Sequence, residues 1–250
     1  MNNRSTSDVQ GGGGEVPLPF AKISIVNLPH RSDRRTAVRK EIRRLGVDID
    51  GQRVAFLEAV RPTTPDGFDS IGARGCFLSH LAALKAARDA NVSTLLILED
   101  DVAFSSAERK SMKETLGHLF AGTWDVFYGG SVVIQEATPI TILPSRIAVQ
   151  LTHFMAFSNR AIHLLVPYLE AMLTRPAGSP QGGPMHVDGA YSHFRRDHPE
   201  LVSVAATPPI AHQRASRTDI HALGAYDRLP LLRELMAGIR WIKNLASSTQ

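Results

Sequence analysis

The run Thr94–Leu98, TLLIL, is continuously apolar and ends at once in three acids, Glu99, Asp100 and Asp101. A short apolar stretch without alternation reads as a strand buried on both faces. Ala21–Leu28, AKISIVNL, is a second such run and stops at Pro29. Behind it Val38, Ile42 and Leu45 recur at helical spacing among Arg and Lys, with Ser32 as the expected N-cap and Gly46 as the stop. Gly75–Ala90 sets Phe77, Leu81 and Leu84 on one stripe of an Ala-rich helix. Strands alternating with helices call for an α/β layer with a mostly parallel sheet.

Trp124–Tyr128 reads as a further strand that breaks at Gly129 and Gly130, and Arg146–Phe157 suits one or two more. Ser158–Thr174 returns to helix, with Pro167 expected to kink or break it. The breaker-rich PAGSPQGGP loop precedes a short helix, Val187–Arg196, and Leu201–Thr207 is the last strand expected. Residues 1–18 are polar and carry Gly11–Gly14, so they read as a flexible leader to a single domain over 19–250. No strand precedes those glycines, which argues for a linker rather than a phosphate loop. Leu229–Ala246 reads as a basic amphipathic helix that docks on the domain itself or, alternatively, on an anionic membrane.

With 43% hydrophobic and 21% charged residues the chain is neither disordered nor fibrous. No stretch of roughly eighteen residues, the length needed to cross a bilayer as a helix, escapes a charged side chain. The start, MNNRSTSDVQGGGG, lacks the apolar centre of a secretion signal. Cys76 is the only cysteine, so no internal disulfide forms, which fits a reducing compartment. The expected location is the cytoplasm, with the inner membrane surface as a place where the tail could dock.

A net charge of +4 is a modest excess, but Arg31, Arg34, Arg35, Arg39, Lys40, Arg43 and Arg44 concentrate it behind the first strand. Arginines at a helix start oppose its dipole and gain nothing there unless an anion or carboxylate pairs with them. A diphosphate is one such anion; a solvated basic face is the plain alternative.

The three acids sit where ligands bind in open α/β sheets, beyond the carboxyl end of a strand. Adjacent carboxylates repel and favour a hard cation such as Mg²⁺ or Mn²⁺. On an extended backbone Glu99 and Asp101 share a face while Asp100 points away. Spacing alone also allows a solvated acidic turn. Ser79 and His80 are helical neighbours whose side chains diverge, so they form no nucleophile and base pair. By local pattern His80 is a hydrogen-bonded histidine at the core edge, Asp188 a general base or an N-cap, and His212 a structural residue beside Gln213.

In order, VNLPHRSDRR, GCFLSHLAALKAA, LLILEDDVAF and HVDGAY resemble glycosyltransferase family 25, which includes lipooligosaccharide and collagen galactosyltransferases. The resemblance runs from about Ala21 to Ile220. It implies a single GT-A domain with a Rossmann-like mixed, mostly parallel sheet flanked by helices, and a UDP-sugar donor. The EDD triplet is then similar to a DxD motif, with Asp101 on the divalent ion and Glu99 and Asp100 helping through ribose or water. Glu99 and a C-terminal histidine, His212, complete the implied metal shell. Asn27, Arg31, Arg34, Ser79, His80 and Gln213 are implied nucleotide-sugar contacts, and Asp188 the implied base.

The resulting expectation is a metal-dependent inverting hexosyltransferase, using Mn²⁺ or Mg²⁺, that moves galactose or a related hexose from a UDP-sugar to a glycan or glycolipid such as lipopolysaccharide. Gly129 and Gly130 are expected beside the acceptor. The rival readings are an inactive donor-binding domain and a nucleic-acid binder using the Arg31–Arg44 helix. Steep salt dependence would mark the latter. No aromatic residue in that helix is available for base stacking, so no nucleic-acid partner is expected.

Overall fold

The computed structural model describes residues 18–131 and 138–214. The expected leader before residue 18, the Ser216–Ile220 run and the basic tail lie outside the described residues. Leu18, assigned to the leader from sequence, is buried and packs with Phe20, and its carbonyl accepts from Arg53 Nη1 at 3.0 Å.

The first strand, β1 (Lys22–Asn27), leads into α1 (Ser32–Arg44), then β2 (Val54–Glu58), α2 (Ile71–Asp89) and β3 (Thr94–Glu99). The chain continues through β4 (Val102–Ala103), α3 (Ser106–Ala121), β5 (Val126–Tyr128), β6 (Ile140–Ile142) and β7 (Phe154–Ser158). It closes with α4 (Asn159–Leu173), α5 (Val187–Asp197), β8 (Ser203–Ala206) and β9 (His212–Gln213). Seven strands form one sheet in the order β2-β1-β3-β7-β5-β8-β6, and β4 pairs with β9 in a separate ribbon. The β1–β2, β1–β3 and β5–β8 pairs are parallel, while β7 and β6 run against their neighbours. The sheet is therefore mixed, with five of its seven strands pointing one way, as the sequence led one to expect.

The continuous apolar runs bury both faces. Leu95 and Ile97 of β3 join one core with Phe77, Leu81 and Leu84 of α2, Leu165 and Leu169 of α4, and Tyr191 of α5. Leu96 and Leu98, the alternate residues, join the other core with Val38 and Ile42 of α1 and Met112 and Leu116 of α3. This period-two division places α2, α4 and α5 on one face and α1 and α3 on the other. After β1 the chain turns outward to β2, and after β3 it departs toward β5. The ends of β1 and β3 are thus a switch point, where two loops leave in opposite directions and open a crevice.

Local chemistry sets the helix limits. Gly46, at φ 73°, ends α1 with its N–H on the Arg43 carbonyl, while the Val47 N–H reaches Ile42. Arg31, not Ser32, occupies the α1 cap position, and no side chain caps it. Ser70 caps α2 by accepting from the Ala73 N–H at 3.0 Å, so that helix begins before Gly75. The fourth helix runs unbroken across Pro167, contrary to the expected break. Pro167 and His163, whose carbonyl loses the usual donor, both lie on its exposed side, where water can replace the missing bond.

Candidate active site

Register brings the first two site residues together. Val26 of β1 lies opposite Glu99 of β3, so Asn27 falls level with Asp100, and Asn27 Nδ2 donates to Asp100 Oδ2 at 2.8 Å. From the first turn of α1, Arg34 Nη1 sits 3.0 Å from Asp100 Oδ1 and 3.7 Å from Asp101 Oδ2. The expectation that Asp100 points away is therefore corrected. Residues 100 and 101 form a turn, not a continuation of the strand, and the turn aims both carboxylates at one guanidinium. Gln213 Nε2 donates to the same Asp101 Oδ2 at 2.9 Å, while the Arg214 N–H donates to the Asp101 carbonyl at 2.8 Å. Asp100 and Asp101 are each only 6% exposed.

Burial, and after it the charge of Glu99, pushes the Asp101 carboxyl up to about 7, against the lowering effects of Gln213 and Arg34. Its Oδ1 and the Asn27 Oδ1 are buried without hydrogen-bond partners among the described residues. A bare oxygen on a buried carboxyl that resists ionisation is what a hard cation would relieve.

Glu99 looks toward α2. Thr152 Oγ1 donates to its Oε1 at 2.6 Å, and His80 Nε2 stands 3.6 Å away from the same oxygen. Burial alone would raise the Glu99 carboxyl, but the His80 ring and Thr152 hydroxyl outweigh it and hold it below its ordinary value. His80 is fully buried, with Nδ1 2.9 Å from the Tyr191 hydroxyl. Cys76, one turn before His80, brings its sulfur near the same carboxylate. Burial pushes the Cys76 thiol well up, with the charges of Glu99, Asp188 and Asp101 acting in the same direction.

Not every residue singled out from sequence meets the acids. Arg31 binds Asp33 through Nε at 3.0 Å and Nη2 at 2.9 Å. Arg35 and Arg39 lie over the Phe56 ring, 4.1 and 5.2 Å from its centre. Ser79 serves the scaffold: its hydroxyl donates to the Gly75 carbonyl at 2.6 Å and accepts from the Val60 N–H at 2.8 Å. His212 turns from the carboxylates, its Nδ1 2.8 Å from Glu108 Oε2 of α3. Successive residues of β9 face opposite ways, so Gln213 reaches Asp101 and His212 cannot do so from the same ribbon. Glu99, Asp101 and His212 are consequently not gathered into one ligand group.

Asp188 lies in the first turn of α5, past the His186 cap, and accepts from the Gly189 N–H at 2.8 Å. It borders a cleft of about 330 Å³ with Arg146, Gln150, Ser192, His193 and Arg196. Its charge acts on both the Cys76 thiol and the Tyr128 hydroxyl, raising each.

Sequence reasoning missed His153, Thr152 and Arg214. His153 is 1% exposed, neither ring nitrogen has a hydrogen-bond partner among the described residues, and burial lowers its basicity. It packs so closely on Gly130 that a Cβ there would meet its Nε2 at 2.1 Å. Gly129 and Gly130 are thus demanded by the Phe154 and His153 rings. No local pattern in LTHFMAFS marks His153. Cys76 did leave a signal, since a thiol four residues before a histidine on a helix shares its face.

The mixed Rossmann-like sheet thus carries paired acids, a guanidinium and buried oxygens without hydrogen-bond partners among the described residues at its switch point. The chain belongs to glycosyltransferase family 25, described as an LPS biosynthesis protein family, whose profile matches residues 20–169. A glycosyltransferase 25 family member of Anopheles gambiae is 30% identical over 136 residues, covering 48% of this chain and 23% of that protein. The procollagen galactosyltransferases 1-A of Xenopus laevis and 2 of Homo sapiens are 25% and 26% identical, each over 51% of this chain. The matched stretch spans 24% and 23% of their lengths, about a quarter. A solved glycosyltransferase involved in the glycosylation of the major capsid of PBCV-1 is similar at 12% identity and a TM-score of 0.43, covering 80% of this chain and 95% of that one. Among the described residues no helix is long and apolar enough to cross a membrane.

Proposed function

We propose that this enzyme transfers a hexose, galactose or a close relative, from a UDP-sugar to a hydroxyl of a glycan or glycolipid such as lipopolysaccharide, with inversion and with Mn²⁺ or Mg²⁺. The observation that carries the reading is the Asp101 carboxyl at the switch point, raised to about 7 and with a buried Oδ1 that has no hydrogen-bond partner among the described residues. The names of the galactosyltransferase relatives and the family description support the sugar and the acceptor class.

Asp101 would hold the cation; of the other residues foreseen for its shell from sequence, Glu99 faces Thr152 and His80, and His212 faces Glu108. When bound, the ion supplies Lewis acidity toward the departing diphosphate. Arg34, kept in place by Asp100, offers positive charge to the same leaving group, and Arg31 at the helix start is close enough in sequence to add to it. Asn27, Asp100 and Gln213 fix the donor side, while the fully buried His80 acts on it through Glu99. Asp188, in its cleft on α5, takes the proton from the acceptor hydroxyl, with attack from the face opposite the leaving group and no covalent intermediate.

The direct test is a panel of nucleotide sugars with the full-length chain, scored by donor hydrolysis with Mn²⁺, Mg²⁺ or chelator. UDP-hexose hydrolysis that requires the ion is expected. Turnover unaffected by chelator removes the metal, and hydrolysis confined to another nucleotide removes the UDP assignment.

A further inference from the structure

We propose that Cys76, His80 and Glu99 form a second cation site, suited to a thiol-seeking divalent ion such as Zn²⁺ and separate from the oxygen ligands around Asp101. It lies beyond the transfer reaction and does not depend on which donor the enzyme uses. Cys76 and His80 are four residues apart on α2, so their side chains leave the same face of the helix. One donor atom from each of the three residues lies within 4.8 Å of the other two. No other group of three or more His, Cys, Asp or Glu side chains among the described residues meets that spacing.

The state of His80 is the independent sign of a ligand. Its ring is fully buried, its Nδ1 is engaged by the Tyr191 hydroxyl at 2.9 Å, and its Nε2 has no hydrogen-bond partner among the described residues. At 3.6 Å from Glu99 Oε1 that nitrogen is beyond hydrogen-bond reach yet directed at the carboxylate. A histidine bound to a metal has this arrangement, with an outer partner on one nitrogen fixing the tautomer and the other nitrogen turned to the ion. Thr152, donating to Glu99 Oε1 at 2.6 Å, orients the carboxylate in the same manner. Sulfur in the donor set selects zinc-like ions over Mg²⁺ and Mn²⁺, which prefer oxygen alone. On binding, the thiol proton is released to solvent and the sulfur binds as thiolate. Three protein ligands leave a fourth position open. An ion here would clamp α2 to the end of β3 and so fix the strand end from which the donor acids project.

Because the chain has a single cysteine, any thiolate-to-metal signal reports Cys76. The full-length protein is stripped with chelator and titrated with Co²⁺. One equivalent is expected to produce a near-ultraviolet sulfur-to-cobalt charge-transfer band, which Zn²⁺ abolishes by displacement, and Zn²⁺ is expected to slow modification of the thiol and raise Tm. Asp101→Asn is expected to keep the band and His80→Ala to lose it. Absence of the band in the unaltered chain overturns the proposal, and needs no variant to fold. Loss of the band in Asp101→Asn also overturns it, because the ion would then belong to the donor acids. Failure of UDP-sugar hydrolysis bears on the transfer reading alone.

Discussion

Asn27 Nδ2 and Asp100 Oδ2 meet at 2.8 Å across 73 residues of sequence, fastening the end of β1 to the turn after β3. The bond follows from register, and it holds the acid that steadies Arg34. Both groups are buried, so Asn27→Ala leaves a charged oxygen without its neutral donor. Such losses cost about 1.5–3 kcal/mol. Urea denaturation should show a decrease of that size.

Asp101 gives the fold a pH dependence of known sign. Its carboxyl is raised from an ordinary 3.8 to about 7 in the folded chain. Between these values the native state keeps a proton that the unfolded chain has lost, so stability from this group is full below about 4 and is lost as pH rises through about 7. Asp101→Asn stays neutral and can still accept from Gln213. Its stability relative to the unaltered chain should therefore grow between about pH 4 and about pH 7, read from denaturation midpoints; a flat difference means that Asp101 titrates normally.

Two glycines test the packing against His153. In Gly130→Ala the new methyl would stand 2.1 Å from His153 Nε2, and something must move. Overpacking of this kind costs about 1–3 kcal/mol. Gly117 in α3 has nothing within 4 Å of an added Cβ, so Gly117→Ala should instead gain about 0.5–1 kcal/mol from helix propensity. Thermal melts of the two variants should shift in opposite directions.

The legible parts of this chain were those whose signal is local. TLLIL and AKISIVNL could be read as two-sided strands because their apolar residues run on without alternation, the helix of Val38 followed from spacing, and that of Tyr191 was expected after the breaker-rich loop. The helix Ser106–Ala121 was missed although Ser105 and Glu108 form a capping box there. The short strands Val54–Glu58 and Ile140–Ile142 earn their state from neighbours, Ile23 pairing with Val54 and Ala206 with Ile140. Within the site, the acids and Arg34 were readable as opposite charges at a strand end. The partnership of Glu99 with His80 and Thr152 was not, because it joins three elements distant in sequence. The His212 placement depended on the parity of a two-residue ribbon, which no sequence pattern reveals.

Asp188 separates binding from chemistry. With its carboxylate as the base, Asp188→Asn should leave donor affinity unchanged and reduce kcat by about 10²–10⁴-fold. Steady-state kinetics with saturating donor measures this; a rise in donor KM at constant kcat would move Asp188 to the donor side.

Calorimetry of UDP binding, with and without Mn²⁺, to the unaltered chain and to Asp101→Asn addresses the donor site most directly. Tight binding that needs the ion and is lost in the variant is the predicted result. Equal UDP affinity in both proteins, or binding indifferent to Mn²⁺, would contradict the assignment of the strand-end acids to a cation and its diphosphate.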